Sequence, residues 1–426
     1  MPNAYLGLCS NLGDSPGYIR EALERVADVG RLLDNSDFYR SQRRATATAS
    51  DSYGAVAALE TDLDPQALRR ALRDIEKTVA GGRSAHDGSR ELTIELLLYD
   101  DLVHDDPQTR LPHPDLRTRP LLSLPLADIA PNARVGPDGA TAAALADALS
   151  PDARDAVTRI AGTAHPDTPG TIDYDAPGGA GMHYDELRPL SDFNRALFDA
   201  AAHAIVLRPG MKVLDVGCGS GRYSSLFAQR GAVVTGLDRS STMLAAARAG
   251  AKGRDLSLHY IQADANAGLP QDHFDAVTFF LSIQYLTLTP AFFASLRAAL
   301  APSGAVAVIT LAHRHFIEHE VLTRYFPSIP RIDLARFPSI PRLARLFHDH
   351  GFIDVSQREV VQEIGSSGEA LIKRVEGKYV STLHLLDQAE FEQGVAAMRK
   401  ELSGQGEIRR TIRATVVSAH ATVTGA

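Results

Sequence analysis

The sequence predicts an α/β protein made of two folded units, and three observations lead to that class. Residues 1–150 interleave strand-like and helix-like stretches, residues 160–182 are rich in Pro, Gly, Asp and Thr, and short apolar strands alternate regularly with helices from Tyr184 onward. At roughly 100–200 residues per domain, a chain of 426 residues has room for two or three domains.

Bulk composition favours a soluble globular protein over a nucleic-acid or membrane protein. The formal net charge is −8, with 44% hydrophobic and 23% charged residues, and this acidic balance argues against dedicated nucleic-acid binding. Cys9 and Cys218 form no CxxC pair, so no metal cluster or disulfide framework is expected. The N-terminus lacks a signal-peptide pattern, and no apolar run reaches the ~20 residues that span a bilayer. We therefore expect a cytoplasmic protein without a membrane partner.

The first unit, predicted over residues 1–155, opens with the short apolar strand AYLGL. Helical spacing of apolar residues predicts a helix over 18–29, and Asp64-Pro65 starts an amphipathic helix over 65–78. Strands are predicted over 53–60 and 92–99. Interleaved strands and helices indicate an α/β or α+β unit.

A linker is predicted over residues 156–182, because its Pro- and Gly-rich composition offers little apolar surface. The second unit is predicted over 183–426. Its strand candidates are KVLDVG, VVTGLD, LHYIQAD, FDAVTFFLS and AVAVITL. Short apolar strands alternating with helices predict a parallel sheet covered by helices on both faces.

The hexapeptide FPSIPR occurs twice, at residues 326–331 and 337–342. Its prolines disfavour a continuous helix, so we predict a turn-like segment within a lid insertion over 314–345. A surface loop with a packing role alone is the alternative. A second lid insertion, with helices from Ser367 and over 389–402, is predicted over 365–402.

A glycine-rich turn marks a candidate ligand site in the second unit. A strand over 213–216 runs into Gly217, Gly219 and Gly221, and a helix follows from Arg222. Glycines there permit positive φ and close approach of a ligand, at the strand end where open α/β sheets bind ligands. Asp238 closes the next strand, where a carboxylate can accept both hydroxyls of a ribose. The spacing matches neither the GxGxxG fingerprint nor a P-loop.

The longer pattern, VLDVGCGSGRY with LDRSSTML and QADANAGLP, resembles the class I S-adenosylmethionine-dependent methyltransferases over about residues 180–426. The resemblance implies a Rossmann-like seven-stranded sheet, S-adenosyl-L-methionine as the cofactor and a small-molecule acceptor. The sequence ending, with LARLFHDHGFIDVSQREV and IRRTIRATVVSAH, matches the family's sixth strand and antiparallel seventh.

The resemblance also assigns roles to residues of the second unit. Asp215 would support the loop and the methionine amino group, and Asp238 would bind the ribose. The other implied cofactor-binding residues are Tyr184, Arg188, Gly217, Gly219, Gly221, Met243, Asp264, Ala265, Leu281 and Ser282. Tyr285 and His313, with His315 beside it, are candidates for a catalytic base, which is needed only if the acceptor atom carries its proton at neutral pH. For the histidines, a loop position without a chemical role is the alternative.

The first unit resembles 6-hydroxymethyl-7,8-dihydropterin pyrophosphokinase through AYLGLCSNLGD, IEKTVAGGR and GSRELTIELLLYDD. The resemblance implies an α+β ferredoxin-like domain. That family holds two Mg²⁺ ions with two aspartates spaced two apart on a strand, and here those positions are Thr93 and Glu95. Threonine lacks the charge that hard Mg²⁺ prefers, so we predict a degenerate metal site and no bound metal.

Other family positions of the first unit divide into two groups. The phosphate-facing positions are retained as Arg83, Arg90, His113 and Arg119, together with Glu76. The positions that stack and hydrogen-bond the pterin become Ser52, Leu121 and Gly54, with Tyr53 one residue away. For the basic residues, an ordinary solvated or paired surface position is the alternative.

We expect an S-adenosylmethionine-dependent N- or O-methyltransferase whose first unit is an inactive pyrophosphokinase relative. The fusion suggests an acceptor that is a nitrogen heterocycle of secondary metabolism, related to pterins, pteridines or flavins. Two alternatives stay open: a bifunctional enzyme with an active pyrophosphokinase, and a first unit that serves as a protein-interaction module, for example in a homodimer. A cofactor-binding regulator without turnover is also conceivable.

Overall fold

The computed structural model describes residues 1–41, 51–80, 90–106, 109–136, 138–164, 172–176, 180–181 and 184–422. The chain divides into two units, Met1–Asp167 with Ser339–Arg342, and Thr168–Pro338 with Leu343–Ala426. The boundary between Asp167 and Thr168 lies inside the predicted linker 156–182.

The first unit is built on an antiparallel sheet. Its strands are β1 (Asn3–Ser10), β2 (Arg31–Asn35), β3 (Phe38–Ser41), β4 (Ser52–Glu60), β5 (Thr93–Tyr99) and β6 (Val157–Ile160). The order is β5-β1-β4-β3-β6, with β2 also paired to β4. The helices are α1 (Ser15–Val26), α2 (Pro65–Ala80), α3 (Pro120–Ile129), α4 (Ala142–Asp147) and α5 (Pro151–Asp155). The mixture of helices with an antiparallel sheet confirms the predicted α+β unit.

The element predictions for this unit are confirmed, with shifted boundaries at one helix. Strands β4 and β5 and helix α2 lie within two residues of their predicted ends. Helix α1 begins three residues before the predicted 18–29, because Pro16 occupies its first turn, where proline has no backbone donor to lose.

The predicted linker needs a correction at its start. Val157–Ile160 form strand β6, which pairs with the edge of β3 and supplies partners for its backbone groups. Just beyond the strand, buried Thr163 accepts a hydrogen bond from the Phe38 backbone at 2.6 Å. Residues 165–171, 177–179 and 182 of the predicted linker lie outside the described residues.

The described part of the second unit contains the predicted seven-stranded sheet. Its strands are β7 (Lys212–Val216), β8 (Val233–Asp238), β9 (Leu258–Gln262), β10 (Phe274–Phe280), β11 (Leu300–Thr310), β12 (Phe352–Ser367) and β13 (Glu407–Ala421). The order is β12-β13-β11-β10-β7-β8-β9. Strands β7 to β11 pair in parallel, whereas β13 is antiparallel to both neighbours, as the sequence ending predicts.

Helices surround this sheet and continue beyond it. They are α6 (Tyr184–Leu187), α7 (Asp192–Ala204), α8 (Arg222–Gln229), α9 (Ser241–Ala251), α10 (Pro290–Ala299), α11 (His313–Ile317), α12 (Glu320–Tyr325), α13 (Ile329–Arg336), α14 (Ile340–Asp349), α15 (Gly368–Glu376) and α16 (Gln388–Leu402). No described helix combines the length and the apolar character needed to cross a bilayer.

The repeated FPSIPR segment corrects the prediction of a turn-like loop. Each copy begins a helix, since α13 starts at Ile329 and α14 at Ile340, one residue before the second proline of its copy. Proline is compatible with the first helical turn, because the N–H it lacks would have no partner within the helix. The prolines therefore start two short helices.

The predicted insertions 314–345 and 365–402 are helical and share a core. Residues 365–367 still belong to β12, which continues with β13 as a two-stranded ribbon beyond the end of β11. Helices α12 and α13 from the first insertion pack on α15 and α16 from the second. This shared core, the lid core, contains the buried residues Leu322, Tyr325, Phe326, Ile329, Ile332, Leu371, Ile372, Val375, Tyr379, Leu383, Leu386, Val395, Met398 and Leu402.

Met398 tests whether the lid core stabilises the second unit. Its side chain is fully buried, so Met398→Ala leaves a cavity and is expected to lower the free energy of unfolding by about 2–5 kcal/mol. Urea unfolding followed by circular dichroism measures the change. The matched control is Lys400→Ala on the exposed face of the same helix, and an equal loss in both variants would contradict the proposed core.

Candidate functional site

Two adjoining cavities lie in the second unit where β7, β8 and β10 end. The smaller has a volume of about 110 Å³ and the larger about 710 Å³. Gly217, Gly219, Leu281 and Tyr285 line both. Strands β7 and β10 are neighbours whose connections run in opposite directions, which is where parallel sheets open a crevice for ligands.

The turn between β7 and α8 depends on glycine. Gly217 has φ of +69°, and a side chain there would bring its Cβ to 2.4 Å from the Cβ of Ser282. Gly221 has φ of +74°, and its added Cβ would lie 2.1 Å from the Tyr260 hydroxyl. The turn therefore brings bare backbone to the cavity wall, as the spacing of the three glycines predicts.

Asp215 holds this turn from inside the protein. Its carboxylate accepts hydrogen bonds from the Ser224 hydroxyl at 2.5 Å and the Thr278 hydroxyl at 3.2 Å. Burial raises the pKa of Asp215 to about 6, although these two hydrogen bonds act in the opposite direction and nearby Asp238 adds to the rise. Asp215 thus joins β7 to α8 and β10, and it lines the larger cavity.

Asp238 and Met243 form part of the smaller cavity. The Asp238 carboxylate accepts the Gly219 backbone N–H at 2.8 Å on one oxygen and the Ser240 N–H at 2.9 Å on the other. Burial raises its pKa, and these backbone hydrogen bonds partly offset the rise. Each oxygen keeps lone pairs for a further donor, such as a ribose hydroxyl. Met243 is buried beside Gly219 and gives the cavity an apolar wall.

Asp264 and Ala265 also line the smaller cavity. Asp264 begins a short 3₁₀ turn and accepts the Asn266 backbone N–H at 2.9 Å, whereas Ala265 is buried. Their arrangement leaves a carboxylate and a small apolar residue at the cavity edge.

The predicted linker contains a residue that sequence analysis missed. Asp175 accepts hydrogen bonds from the Ser240 hydroxyl at 2.7 Å and the Thr242 backbone at 2.9 Å, at the start of α9. The Thr242 and Ser240 bonds lower the pKa of Asp175 to about 2. No local motif marks Asp175, because its partners lie 65 and 67 residues away.

Leu281 and Ser282 form the cavity wall after β10. Leu281 has φ of +52°, an uncommon conformation for a residue with a side chain, and it is 37% exposed. The buried Ser282 hydroxyl donates to the Val216 carbonyl at 2.6 Å and so fixes the end of β10 against the end of β7. The strained backbone turns Leu281 toward both cavities.

Tyr285 joins the cavity wall to the lid. Its hydroxyl lies 2.9 Å from the hydroxyl of Tyr174 and accepts a hydrogen bond from Arg336 at 3.2 Å. Arg336 is buried on α13, where it pairs with Asp333 at 3.1 Å. Sequence analysis identified Tyr285 but missed Tyr174 and Arg336, which come from the predicted linker and the first lid insertion.

Tyr184 and Arg188 also line the larger cavity. The Arg188 guanidinium lies 4.2 Å from the centre of the Tyr184 ring, and its Nε donates to the Tyr379 carbonyl. Asp185 ties the same short helix to the glycine turn, because it accepts hydrogen bonds from Ser220 at 2.8 Å and Arg222 at 2.9 Å. Helix α6 is therefore anchored to the turn and to the lid.

His313 is not brought to either cavity, which corrects its assignment as a catalytic candidate. It is buried at the start of α11, with Nε2 2.9 Å from the Phe337 carbonyl. His315 does line the larger cavity, but both of its nitrogens are engaged: Nδ1 accepts the Ala312 N–H and Nε2 lies 2.7 Å from Glu359. Burial would raise the pKa of Glu359, but hydrogen bonds from His315 and the charge of Arg314 outweigh it and lower the pKa.

The structure gathers most of the predicted cofactor residues around one space. The smaller cavity is lined by Tyr184, Gly217, Gly219, Asp238, Met243, Asp264, Ala265, Leu281 and Ser282. Arg188 and Asp215 line the larger one. Gly221 lies one turn away and shapes the loop, with its backbone N–H donating to the Cys218 carbonyl.

The predicted degenerate metal site lies on β5 of the first unit. Thr93 and Glu95 are half-buried on one face of this strand. Arg119 donates to both oxygens of Glu95, at 2.9 and 3.1 Å. Within the described ranges, no group of three His, Cys, Asp or Glu side chains is placed to hold a metal ion. The carboxylate available at this position is thus already paired with a guanidinium.

The structure describes most of the other family positions of the first unit. Glu76 accepts the Ile94 backbone N–H at 2.5 Å, and burial raises its pKa. His113 begins a 3₁₀ turn at Pro114–Arg117 and accepts the Asp115 N–H. Gly54 faces Leu121, whose carbonyl would lie 2.9 Å from a Cβ at that position. Arg83 lies outside the described residues.

Family comparisons assign each unit. Residues 5–131 match the family model of 7,8-dihydro-6-hydroxymethylpterin-pyrophosphokinase, and residues 213–304 match a methyltransferase domain. The second match contains the glycine turn, Asp238 and Tyr285. The two matches support the predicted fusion.

Two curated relatives match the first unit over most of their own length. One is the 2-amino-4-hydroxy-6-hydroxymethyldihydropteridine pyrophosphokinase of Aquifex aeolicus, 33% identical over 31% of this chain and 82% of the relative. Its counterpart from Pseudomonas aeruginosa is 36% identical over 32% of this chain and 84% of the relative.

Solved methyltransferases are similar to the other part of the chain at low identity. One is an S-adenosylmethionine-dependent methyltransferase from Mesorhizobium loti, with 20% identity and a TM-score of 0.33 over 53% of this chain and 97% of that chain. Another is phosphoethanolamine N-methyltransferase 2 of Haemonchus contortus in complex with S-adenosyl-L-methionine, with 19% identity and a TM-score of 0.39 over 59% of this chain and 61% of that chain.

Asp215 is expected to make stability depend on pH. Its folded pKa of about 6 exceeds the ~3.9 of an unfolded chain, so the wild type loses stability as pH rises through that window. The amide of an asparagine side chain cannot ionise. The stability of Asp215→Asn relative to wild type should therefore increase by about 2 kcal/mol between pH 4 and pH 7.

Urea unfolding at several pH values, without added ligand, measures this difference. The control is Asp272→Asn, which removes an exposed carboxylate of the same unit. A difference between Asp215→Asn and wild type that does not change with pH would show that Asp215 does not carry the raised pKa.

Proposed function

Because the chain belongs to the 7,8-dihydro-6-hydroxymethylpterin-pyrophosphokinase family through its first unit and carries a methyltransferase domain after it, we propose that the second unit transfers a methyl group from S-adenosylmethionine to a small molecule. One observation carries this proposal. The glycine turn and Asp238 share one cavity, and that cavity opens beside a second cavity of about 710 Å³.

The residues of the smaller cavity fit the parts of S-adenosylmethionine. Asp238 keeps free lone pairs for the ribose hydroxyls, and Met243 offers an apolar surface for the adenine. The Asp264 carboxylate would accept a hydrogen bond from the exocyclic amino group of the adenine. Bare backbone at Gly217 and Gly219 allows the ribose and the methionine chain to lie close to the turn.

When bound, S-adenosylmethionine would supply an electrophilic methyl group on a sulfonium sulfur, and the electron pair of the broken carbon–sulfur bond would remain on sulfur. The protein mainly brings the acceptor atom into line and excludes water. Leu281 and Tyr285 line both cavities, so they occupy the boundary where cofactor and acceptor meet. Phe316 and Phe337 line the larger cavity from the lid side.

Tyr285 is the candidate that would touch the acceptor. Its hydroxyl receives a hydrogen bond from Arg336 and is held by Tyr174, so its position is fixed before the acceptor arrives. His315 does not serve as the base in this arrangement, because both ring nitrogens already have partners. We propose that Tyr285 orients the acceptor atom through a hydrogen bond to its hydroxyl.

We propose a nitrogen heterocycle of secondary metabolism, related to pterins, pteridines or flavins, as the acceptor. The larger cavity supports this through its aromatic walls, which include Tyr184, Phe316 and Phe337. Flat rings pack favourably against such side chains. The same chain carries a domain of a pterin pyrophosphokinase family, which associates the acceptor with pterin chemistry.

We propose that the first unit does not transfer pyrophosphate. Thr93 offers no charge for Mg²⁺, and Glu95 is occupied by Arg119. The bifunctional alternative has one observation in its favour, namely that Arg90, His113, Arg119 and Glu76 keep the types of the family's phosphate-facing residues. The two readings differ in a measurable way, because only the second requires Mg²⁺-dependent binding of ATP.

Calorimetric titration of the full-length protein with S-adenosylhomocysteine tests the methyltransferase proposal. We expect binding by the wild type and at least about tenfold weaker binding by Asp238→Asn, because a charge-assisted hydrogen bond to the ribose is lost. Asp272→Asn, an exposed carboxylate of the same unit, is the matched control and should bind as the wild type does. Absence of binding by the wild type would refute the cofactor assignment.

ATP with Mg²⁺ is the corresponding probe for the first unit. We expect no Mg²⁺-dependent binding heat and no AMP formed from ATP with 6-hydroxymethyl-7,8-dihydropterin, because one of the two metal-binding carboxylates is replaced by Thr93. Calorimetry and chromatographic detection of AMP measure the two quantities. AMP formation that is lost in Glu95→Gln would instead establish a second active site.

A further inference from the structure

The larger cavity has a cluster of basic side chains that the proposed chemistry does not use. Arg374 and Lys373 come from α15, Arg410 from the β12–β13 ribbon, and His319 from the start of α12. We call Arg374, Arg410 and His319 the basic cluster. All three are half-buried against the cavity, whereas Lys373 is exposed.

The two arginines of the basic cluster have no carboxylate partner among the described residues. Arg410 donates one hydrogen bond, to the Ser366 hydroxyl at 3.1 Å. Arg374 lies over the ring of Tyr379, with its guanidinium carbon 4.3 Å from the ring centre, and its buried Nε has no hydrogen-bond partner in the described structure. Guanidinium groups that are partly removed from water ordinarily require an anion.

The Arg374 and Arg410 guanidinium groups of the basic cluster repel each other, and the charge of Arg410 also disfavours a charge on His319. Burial lowers the pKa of Arg410, and the charge of Arg374 lowers it further, although Tyr379 opposes the shift. Burial likewise lowers the pKa of His319, with Arg410 among the causes. His319 Nδ1 accepts the Leu322 backbone N–H, so the neutral ring carries its proton on Nε2 and is a donor as well. An anion between these groups would relieve the repulsion.

The acidic residues that line the same cavity do not neutralise the basic cluster. Asp333 is paired with Arg336 and accepts a hydrogen bond from Thr382 at 2.7 Å. Asp215 is bound by Ser224 and Thr278. Glu186 and Glu318 have interactions of their own, and neither is among the charges that act on Arg410 or His319.

We propose that the methyl acceptor carries an oxyanion, a carboxylate or a phosphate, which Arg374 and Arg410 bind while the acceptor atom lies at Tyr285. Both arginines and Tyr285 line one cavity, so a single molecule with an anionic end can contact both groups. Guanidinium groups match the planar fork of a carboxylate and the oxygens of a phosphate. This inference rests on the proposed function, which it makes more specific.

Anion binding would also connect the parts that enclose the cavity. Arg374 stacks on Tyr379, and the Tyr379 carbonyl accepts a hydrogen bond from Arg188 on the loop that follows α6. The ribbon, the lid and the helix that caps the cofactor cavity therefore meet at the basic cluster.

Fluorine NMR titration of the full-length protein with three small aromatic probes tests the inference. The probes are para-fluorobenzoate, para-fluorophenyl phosphate and the neutral para-fluorobenzamide, each titrated with and without saturating S-adenosylhomocysteine. We expect the anions to bind more tightly than the amide, and Arg410→Gln to weaken the anions by about tenfold or more. The matched control, Arg409→Gln, removes an exposed arginine paired with Glu407 on the same strand and should change binding less than twofold.

Arg410→Lys retains the positive charge but lacks the planar set of donors of a guanidinium. This variant keeps the test decisive if Arg410→Gln fails to fold. Partial retention of anion binding in Arg410→Lys supports the inference.

A larger loss for the phosphate probe than for benzoate assigns a phosphate, and the reverse assigns a carboxylate. Equal affinity for the anions and the amide, or equal effects of Arg410→Gln and Arg409→Gln, would overturn the inference. Because S-adenosylhomocysteine binding is measured separately, failure here leaves the methyltransferase proposal intact.

Discussion

The candidate site of the second unit depends on how two neighbouring parallel strands end. Strands β7 and β10 lie side by side, and the buried carboxylate of Asp215 connects the first to Thr278 on the second and to Ser224 on α8. Ser282, which follows β10, makes a second connection between the two strands, because its hydroxyl donates to the Val216 carbonyl at the end of β7. Burying a carboxylate is unfavourable unless it is hydrogen-bonded, so these bonds fix a single position for the glycine turn.

A buried ion pair performs a similar role for the lid. Asp333 and Arg336 lie on one turn of α13, and Arg336 extends to Tyr285 and to Ser381, which belongs to the second insertion. Burial raises the pKa of Asp333 to about 6 even though Arg336 acts in the opposite direction. Such a pair contributes position more than stability, because the desolvation of two charges offsets most of their attraction. Tyr285 is consequently held by residues more than 45 positions away along the chain.

The first unit matches the pyrophosphokinase family on an antiparallel sheet whose strands β4 and β5 are largely buried. On β5, Thr93 and Glu95 are half-buried on one face, and Arg119 donates to both oxygens of Glu95. The buried residues of β5 pack the sheet, whereas this half-buried pair determines what the strand can bind. The chemistry of the first unit therefore depends on these side chains and not on the fold alone.

The sequence alone determined the local elements and the cofactor turn, because both are written in short-range patterns. Short apolar runs located β4, β5 and β7 to β11, and the glycines with Asp238 located the ligand turn. Tertiary structure alone decided which side chains complete the site. Asp175, Tyr174 and Arg336 were missed and His313 was misplaced, since each outcome depends on a partner distant in sequence. The FPSIPR copies became helix starts for a local reason, because proline is tolerated in the first helical turn. Long-range hydrogen bonds leave no periodic signal, so the lid side of the larger cavity could be described only from the folded chain.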